Sequence, residues 1–186
     1  ILTADIDFDG TKIGQIGAFM YKNSGGSTAS AAERLTTSYQ GVFDGNGHVM
    51  KNFEIRHTAT DSTANTSDAA TGMFASVSGA VIKNLGIENA TVTSSAYLSQ
   101  HMAILVGFPA ATSTIESCYV KNSSVLGRGK LSNGGAMMGI INNNAILRNC
   151  YTIGVTVGYD DTCPTANRFQ VWVPAYLLFL QNYTII

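Results

Sequence analysis

Two short stretches hold the residues whose types and spacing could do chemistry. The first, "DIDFDG", alternates Asp5, Asp7 and Asp9 with apolar Ile6 and Phe8 and closes on Gly10. This is the opening half of a calcium loop, in which alternate carboxylates supply oxygens and a glycine makes the sharp turn. Such a loop also needs a bidentate carboxylate at about its twelfth position, because the ion takes six to eight oxygens. Counted from Asp5, that position is Ile16, so the pattern fails where it would be most informative. The second stretch, "FDGNGH", sets Asp44 close to His48, a carboxylate and an imidazole that could share acid–base work. The competing reading is a tight turn, with Gly45 and Gly47 supplying positive φ and Asp44 and Asn46 bonding their own backbone. The turn is preferred, which leaves Asp44 and His48 as the catalytic alternative. Adventitious calcium on Asp5, Asp7 and Asp9 is the secondary reading of the first stretch, and no other cofactor is expected.

No further constellation emerges. The HExxH zinc signature is absent, and His48, His57 and His101 are scattered without ligand spacing. Charged residues make up 12% of the 186-residue chain, half the usual share of about 25%. A net charge of −1 gives no electrostatic argument for nucleic acid. No apolar stretch reaches the roughly 18 residues that span a bilayer. Three cysteines, an odd number, do not make a disulfide framework.

The elements that must position these residues come from a repeat. "MKNFEI", "IKNLGI", "IESCYV", "LRNCYT" and "LQNYTI" align without gaps, with third residues Asn52, Asn84, Ser117, Asn149 and Asn182, in steps of 32, 33, 32 and 33. Upstream, Met73–Ala75, Leu105–Gly107 and Met137–Gly139 recur 32 apart. Downstream, Val92, Val125 and Val157 are equivalent, with Thr60 in the first copy. Three short apolar strands per repeat, separated by Gly, Ser, Asn and Asp, describe one coil of a parallel β-helix. The expected fold is therefore all-β: a right-handed parallel β-helix of about 32-residue coils, roughly five in number.

Stacked coils turn equivalent residues into columns. The first, fourth and sixth positions of each hexamer point inward, so Phe53, Leu85, Cys118 and Cys150 share a core column, and Cys118 and Cys150 are expected as free thiols. The second position points out as Lys51, Lys83, Glu116, Arg148 and Gln181, and the fifth brings Tyr119 beside Tyr151. The third position is a turn, where asparagine accepts left-handed geometry and amides can bond from coil to coil. Asn89 and Asn122 are a second pair of equivalent positions. In "DIDFDG", Ile6 and Phe8 face inward from a leading strand, the aspartates form its solvent face, and Gly10 begins the turn into the first coil.

A single domain, 1–186, follows: 1–48 is a leading strand and first coil with a long loop, 49–157 the regular repeats, and 158–186 an atypical last coil. The longest insertions, Lys22 to Gln40 and His57 to Thr71, are the expected ligand-binding surface. The ends carry no polar cap, so either the polypeptide continues or another copy covers them.

"LTADIDFDG…IGQIG", "GVFDGNGHVMKNFEI" and "GMFASVSGAVIKNLGIENATV" resemble the GLUG-repeat region of bacterial surface proteins. The resemblance runs from Ile1 to about Val157 and implies a right-handed β-helix in secreted or cell-wall-anchored proteins. These include adhesins and the non-catalytic part of IgA-protease-like metallopeptidases. It implies an extracellular or cell-surface, non-catalytic module that presents loops to carbohydrate or to a host or cell-surface protein. The alternative is a carbohydrate-active β-helix, a polysaccharide lyase or hydrolase or a phage tailspike-like protein.

Overall fold

Short apolar runs interrupted by asparagine, serine and glycine make strands, because each run can bury one side and each interruption can take the backbone through a corner. The computed structural model describes residues 1–21, 34–57, 69–94, 100–127, 131–140, 144–159, 180–181 and 184–185. These residues are all-β, with no helix among them.

The largest sheet has nine strands: β1 (Ile6–Lys12), β5 (Val49–His57), β9 (Gly86–Ser94), β13 (Tyr119–Lys121), β14 (Ser124–Gly127), β17 (Tyr151–Ile153), β18 (Thr156–Tyr159), β19 (Leu180–Gln181) and β20 (Thr184–Ile185). A second sheet holds β4 (Val42–Asp44), β8 (Val81–Lys83), β12 (Thr114–Glu116) and β16 (Ile146–Arg148). A third is β7 (Phe74–Val77) with β11 (Val106–Pro109). In the fourth, β15 (Leu131–Gly135), β10 (Gln100–Ala103), β6 (Ala69–Thr71), β2 (Ala18–Tyr21) and β3 (Arg34–Thr37) follow in that order. Neighbours are parallel, with one exception. Strand β2 runs antiparallel to both β3 and β6. Parallel strands stacked in several sheets are compatible with a β-helix or solenoid.

The core lies between the sheets. Phe74, Ile82, Leu85, Ile87, Leu105, Ile115 and Val120 are all buried, each contributing about 1.5–3 kcal/mol relative to exposure. Ile82 stands beside Ile115 and Ile115 beside Leu147, while Ile87 stands beside Val120 and Val120 beside Thr152. Phe53 faces the small Ala90 and meets Phe8 edge-on at 5.5 Å, so one large ring fills the space that its neighbour leaves.

This register corrects the five-copy alignment at both ends. Met50 pairs with Ile87 and Ile55 with Val92, so Asn52 and Phe53 stand with Asn89 and Ala90, not with Asn84 and Leu85. Likewise Leu180 pairs with Thr152 and Thr184 with Thr156, not with Leu147 and Tyr151. Asn182 and Thr60 lie outside the described residues. The physical reason is that "IKNLGIENATV" makes the same corner twice. Asn84 and Asn89 are both left-handed, at φ 53, and either can be matched to Asn52. Part of the supposed Lys22–Gln40 insertion is strand β3, and Ala69–Thr71 is strand β6. Residues 22–33 and 58–68 lie outside the described residues.

Candidate functional site

Asp7 and Asp9 lie in β1, at one edge of the large sheet, and Asp5 immediately precedes it. Asp5 accepts the Val49 amide at 3.0 Å and faces His48 Nδ1 at 3.1 Å. The Val49 hydrogen bond, with His48 second, holds its carboxyl below the usual range. Asp7 accepts the Asp9 amide at 3.0 Å and the Asn52 amide group at 2.8 Å, with Lys51 Nζ at 3.5 Å. The Asp9 amide, with Asn52 second, lowers its pKa in the same way. These donors fall on Oδ1 of Asp5 and Oδ1 of Asp7, with Lys51 beside Asp7 Oδ2. Among the described residues no group of three or more His, Cys, Asp or Glu is placed to hold a metal ion.

Gly10 does not begin a turn out of the strand. It lies within β1, which continues to Lys12. Asp7 stands opposite Lys51 and Thr11 opposite Phe53, so Phe8, Asp9 and Gly10 together oppose Asn52. This is a β-bulge, with Asp9 at φ 50 and Gly10 at φ 73, and Gly10 supplies that conformation without strain. Beside it opens a cleft of about 490 Å³ lined by Gly10, Asn52, Phe53, Glu54, Asn89 and Thr91.

The second stretch is a turn in which His48 N donates to Gly45 O at 2.8 Å. Its left-handed pair is Asn46 and Gly47, at φ 52 and 81, the signature of a type I′ turn. Gly45 is not in the left-handed region, contrary to the sequence reading. It is small because a Cβ there would strike the backbone of Asn84 and Leu85. Asp44 accepts the Asn46 amide at 2.8 Å and the Asn84 side-chain amide at 3.1 Å, with Lys83 Nζ at 3.4 Å. The Asn46 hydrogen bond, followed by Asn84, depresses its pKa. Asp44 and His48 thus have different partners: His48 is turned to Asp5, and Asp44 to Lys83.

No protein-family model, curated protein or solved structure matches the chain.

Three residues of the sequence-derived ladder, Asn84, Ser117 and Asn149, are left-handed at φ 53, 52 and 53 and occupy one corner. A second corner carries Asn52, Asn89 and Asn122 at φ 59, 53 and 49, followed by Gly154 at 62. Here Asn89 donates to Asn52 Oδ1 at 2.9 Å and Asn52 donates to Asp7, so the amides form a directional chain ending on a carboxylate.

The outward charges form two columns of alternating sign. Asp44, Lys83, Glu116 and Arg148 pair in order across β4, β8, β12 and β16. Arg148 Nε and Nη2 reach Glu116 Oε2 at 2.7 and 2.5 Å. Asp7, Lys51, Glu88 and Lys121 do the same across β1, β5, β9 and β13. Lys51 therefore heads no column with Lys83, and Gln181 stands beside Ile153. The "FDG" segment was the available signal, since it precedes "IKN" as another short apolar strand with a charged outward residue.

Tyr119 and Tyr151 stack with ring centroids 5.2 Å apart and planes 8° from parallel. Tyr119 donates to Glu88 at 2.9 Å. Cys118 and Cys150 are free thiols. Cys118 is fully buried and Cys150 half-buried. The Cys118 thiol lowers the pKa of Cys150, while Cys150 and burial raise that of Cys118. Cys163 lies outside the described residues.

Proposed function

We propose that the chain is a non-catalytic structural and adhesive module: a right-handed parallel β-helix of about five coils, each of about 32 residues, from an extracellular or cell-surface bacterial protein of GLUG-repeat type. The observation that carries this reading is the use made of the outward charges. Asp44, Lys83, Glu116 and Arg148, and again Asp7, Lys51, Glu88 and Lys121, alternate in sign from strand to strand. Opposite charges at strand spacing support the stack itself.

The general-acid half of the acid–base alternative has the opposite requirement, whereas a carboxylate base works ionised and is compatible with a lowered pKa. A general acid working near neutral pH needs a raised carboxyl pKa, whereas Asp5, Asp7 and Asp44 are all lowered. Right-handedness follows from the strong bias of parallel crossovers within one sheet, about 98%. The coil length is supported by the pairing of Ile87 with Val120 and of Val120 with Thr152.

The folded chain, incubated with immobilised neutral and acidic polysaccharides, tests this. Retention without new reducing ends or unsaturated products is the expected result. Depolymerisation that disappears in Asp44→Asn would replace the module with a carbohydrate-active enzyme.

A further inference from the structure

The cleft beside the β1 bulge is a product of backbone geometry. Three residues of β1 oppose one residue of β5, so the two strands part at Asn52. Asp9 N bonds Asp7 Oδ1 at 3.0 Å, and this local hydrogen bond stabilises the parted conformation. Gly10, on the lip, has nothing within 4 Å of where a side chain would begin. The resulting volume of about 490 Å³ falls within the range of small-molecule sites, about 300–1,000 Å³.

The lining of the cleft is half polar, and that half is incompletely committed. Each asparagine amide has two N–H donors and a carbonyl acceptor. Asn89 gives one N–H to Asn52, and Asn52 gives one to Asp7, leaving a second N–H on each. Ser124 donates to Thr91 Oγ1 at 3.3 Å, so the Thr91 proton is free to point into the cleft. Glu54 meets Lys12 through Oε2 at 3.8 Å, which leaves Oε1 as an acceptor. The formal charges are balanced, Glu54 by Lys12 and Asp7 by Lys51, so nothing at the cleft selects an ionic ligand. Nor does it select an apolar one, because Phe53 is buried and packs against Phe8.

We infer that this cleft binds a neutral hexopyranose residue of a glycan, with Asn52, Glu54, Asn89 and Thr91 hydrogen-bonding its hydroxyl groups. Vicinal hydroxyls each donate and accept, which matches neighbouring amides, a hydroxyl and a carboxylate oxygen, and they carry no charge. The inference rests on reading the chain as a binding module, and it moves the contact from the long insertions to the bulge.

The test titrates the full chain with neutral hexose oligosaccharides and their uronic-acid counterparts, followed by saturation-transfer NMR. Asn89→Gly keeps the left-handed backbone and removes the amide, and Thr91→Val is nearly isosteric. Together they are expected to weaken neutral-glycan binding about tenfold. Thr156→Val, on the same face but away from the cleft, leaves it unchanged. Failure of the folded chain to bind any neutral oligosaccharide, preference for the uronic forms, or parental affinity in the double variant would overturn the assignment. Glycan retention unaffected by the double variant removes the cleft and leaves the module. Glycan cleavage with retention lost in the double variant removes the non-catalytic reading and leaves the cleft.

Discussion

The left-handed corners carry a prediction that separates backbone from side chain. Asn84 lies at φ 53 and donates from Nδ2 to Asp44 Oδ1 at 3.1 Å. Asn84→Ala forces a Cβ-bearing residue without a local hydrogen-bonding side chain into that region, at about 1–2 kcal/mol. It also removes a part-buried hydrogen bond, worth about 0.5–1.5 kcal/mol. The expected loss is about 2–3 kcal/mol. Asn84→Gly loses the same hydrogen bond but takes the left-handed conformation freely, so about 1 kcal/mol is expected. Ser117, at φ 52 in the same corner, lacks asparagine's tolerance of that geometry, and Ser117→Asn should be neutral or stabilising by a few tenths of a kcal/mol. Urea denaturation followed by circular dichroism reads all three as shifts in midpoint at constant slope. Equal losses for Asn84→Ala and Asn84→Gly would refute the backbone argument, and two neutral variants would remove the corner from the stability account altogether.

Other consequences follow from the ionisable groups. Asp5, Asp7 and Asp44 have pKa values depressed below about 3.8, so their stabilisation is present above that pH and is lost as pH falls through the lower folded values. Hydrogen exchange, corrected for intrinsic rate, should show the amides of Val49, Asp9 and Asn46 losing protection in acid before those of β13, and uniform loss would count against local anchoring. Tyr119 is pushed up to about 12 by burial and by Glu88. Its neutral form therefore supports the fold below pH 10, and that support is lost between pH 10 and 12. Ultraviolet titration should show this late tyrosine, and Glu88→Gln should move it down. Alkylation should label half-buried Cys150 before buried Cys118, and mass under non-reducing conditions should show both thiols free. A Cys118–Cys150 bridge would contradict the structure.

Much of the architecture was legible because a column is a linear signal. Ile82, Ile115 and Leu147, or Val92, Val125 and Val157, recur at nearly constant spacing since each repeats one inward position. Register at the ends was not legible, and the cause is local symmetry. Asn84 and Asn89 end two successive "I-x-N" corners five residues apart, so Asn52 fits either. Packing resolves what pattern cannot: the large Phe53 is opposed by Ala90 and completed by Phe8. The antiparallel β2–β3 pair had no counterpart in the repeat from which to infer it.

The same reasoning explains why "DIDFDG" resembles a ligand set. A calcium loop places carboxylates around a turn so that they converge on an ion. A β-bulge uses the same residue types for another end, because Asp and Gly tolerate left-handed geometry and an aspartate can bond a nearby amide. Here Asp7 bonds the Asp9 amide, Asp9 and Gly10 reverse their φ angles, and Asp5 and Asp7 bond outward to β5 and its flanking turn. Oδ1 of Asp5 and Oδ1 of Asp7 are thereby engaged by neighbouring donors. What the bulge leaves accessible instead is the neutral polar surface of Asn52, Asn89 and Thr91. The polar groups beside the opening thus lie one and two strands away from the aspartates that make it, on β5 and β9.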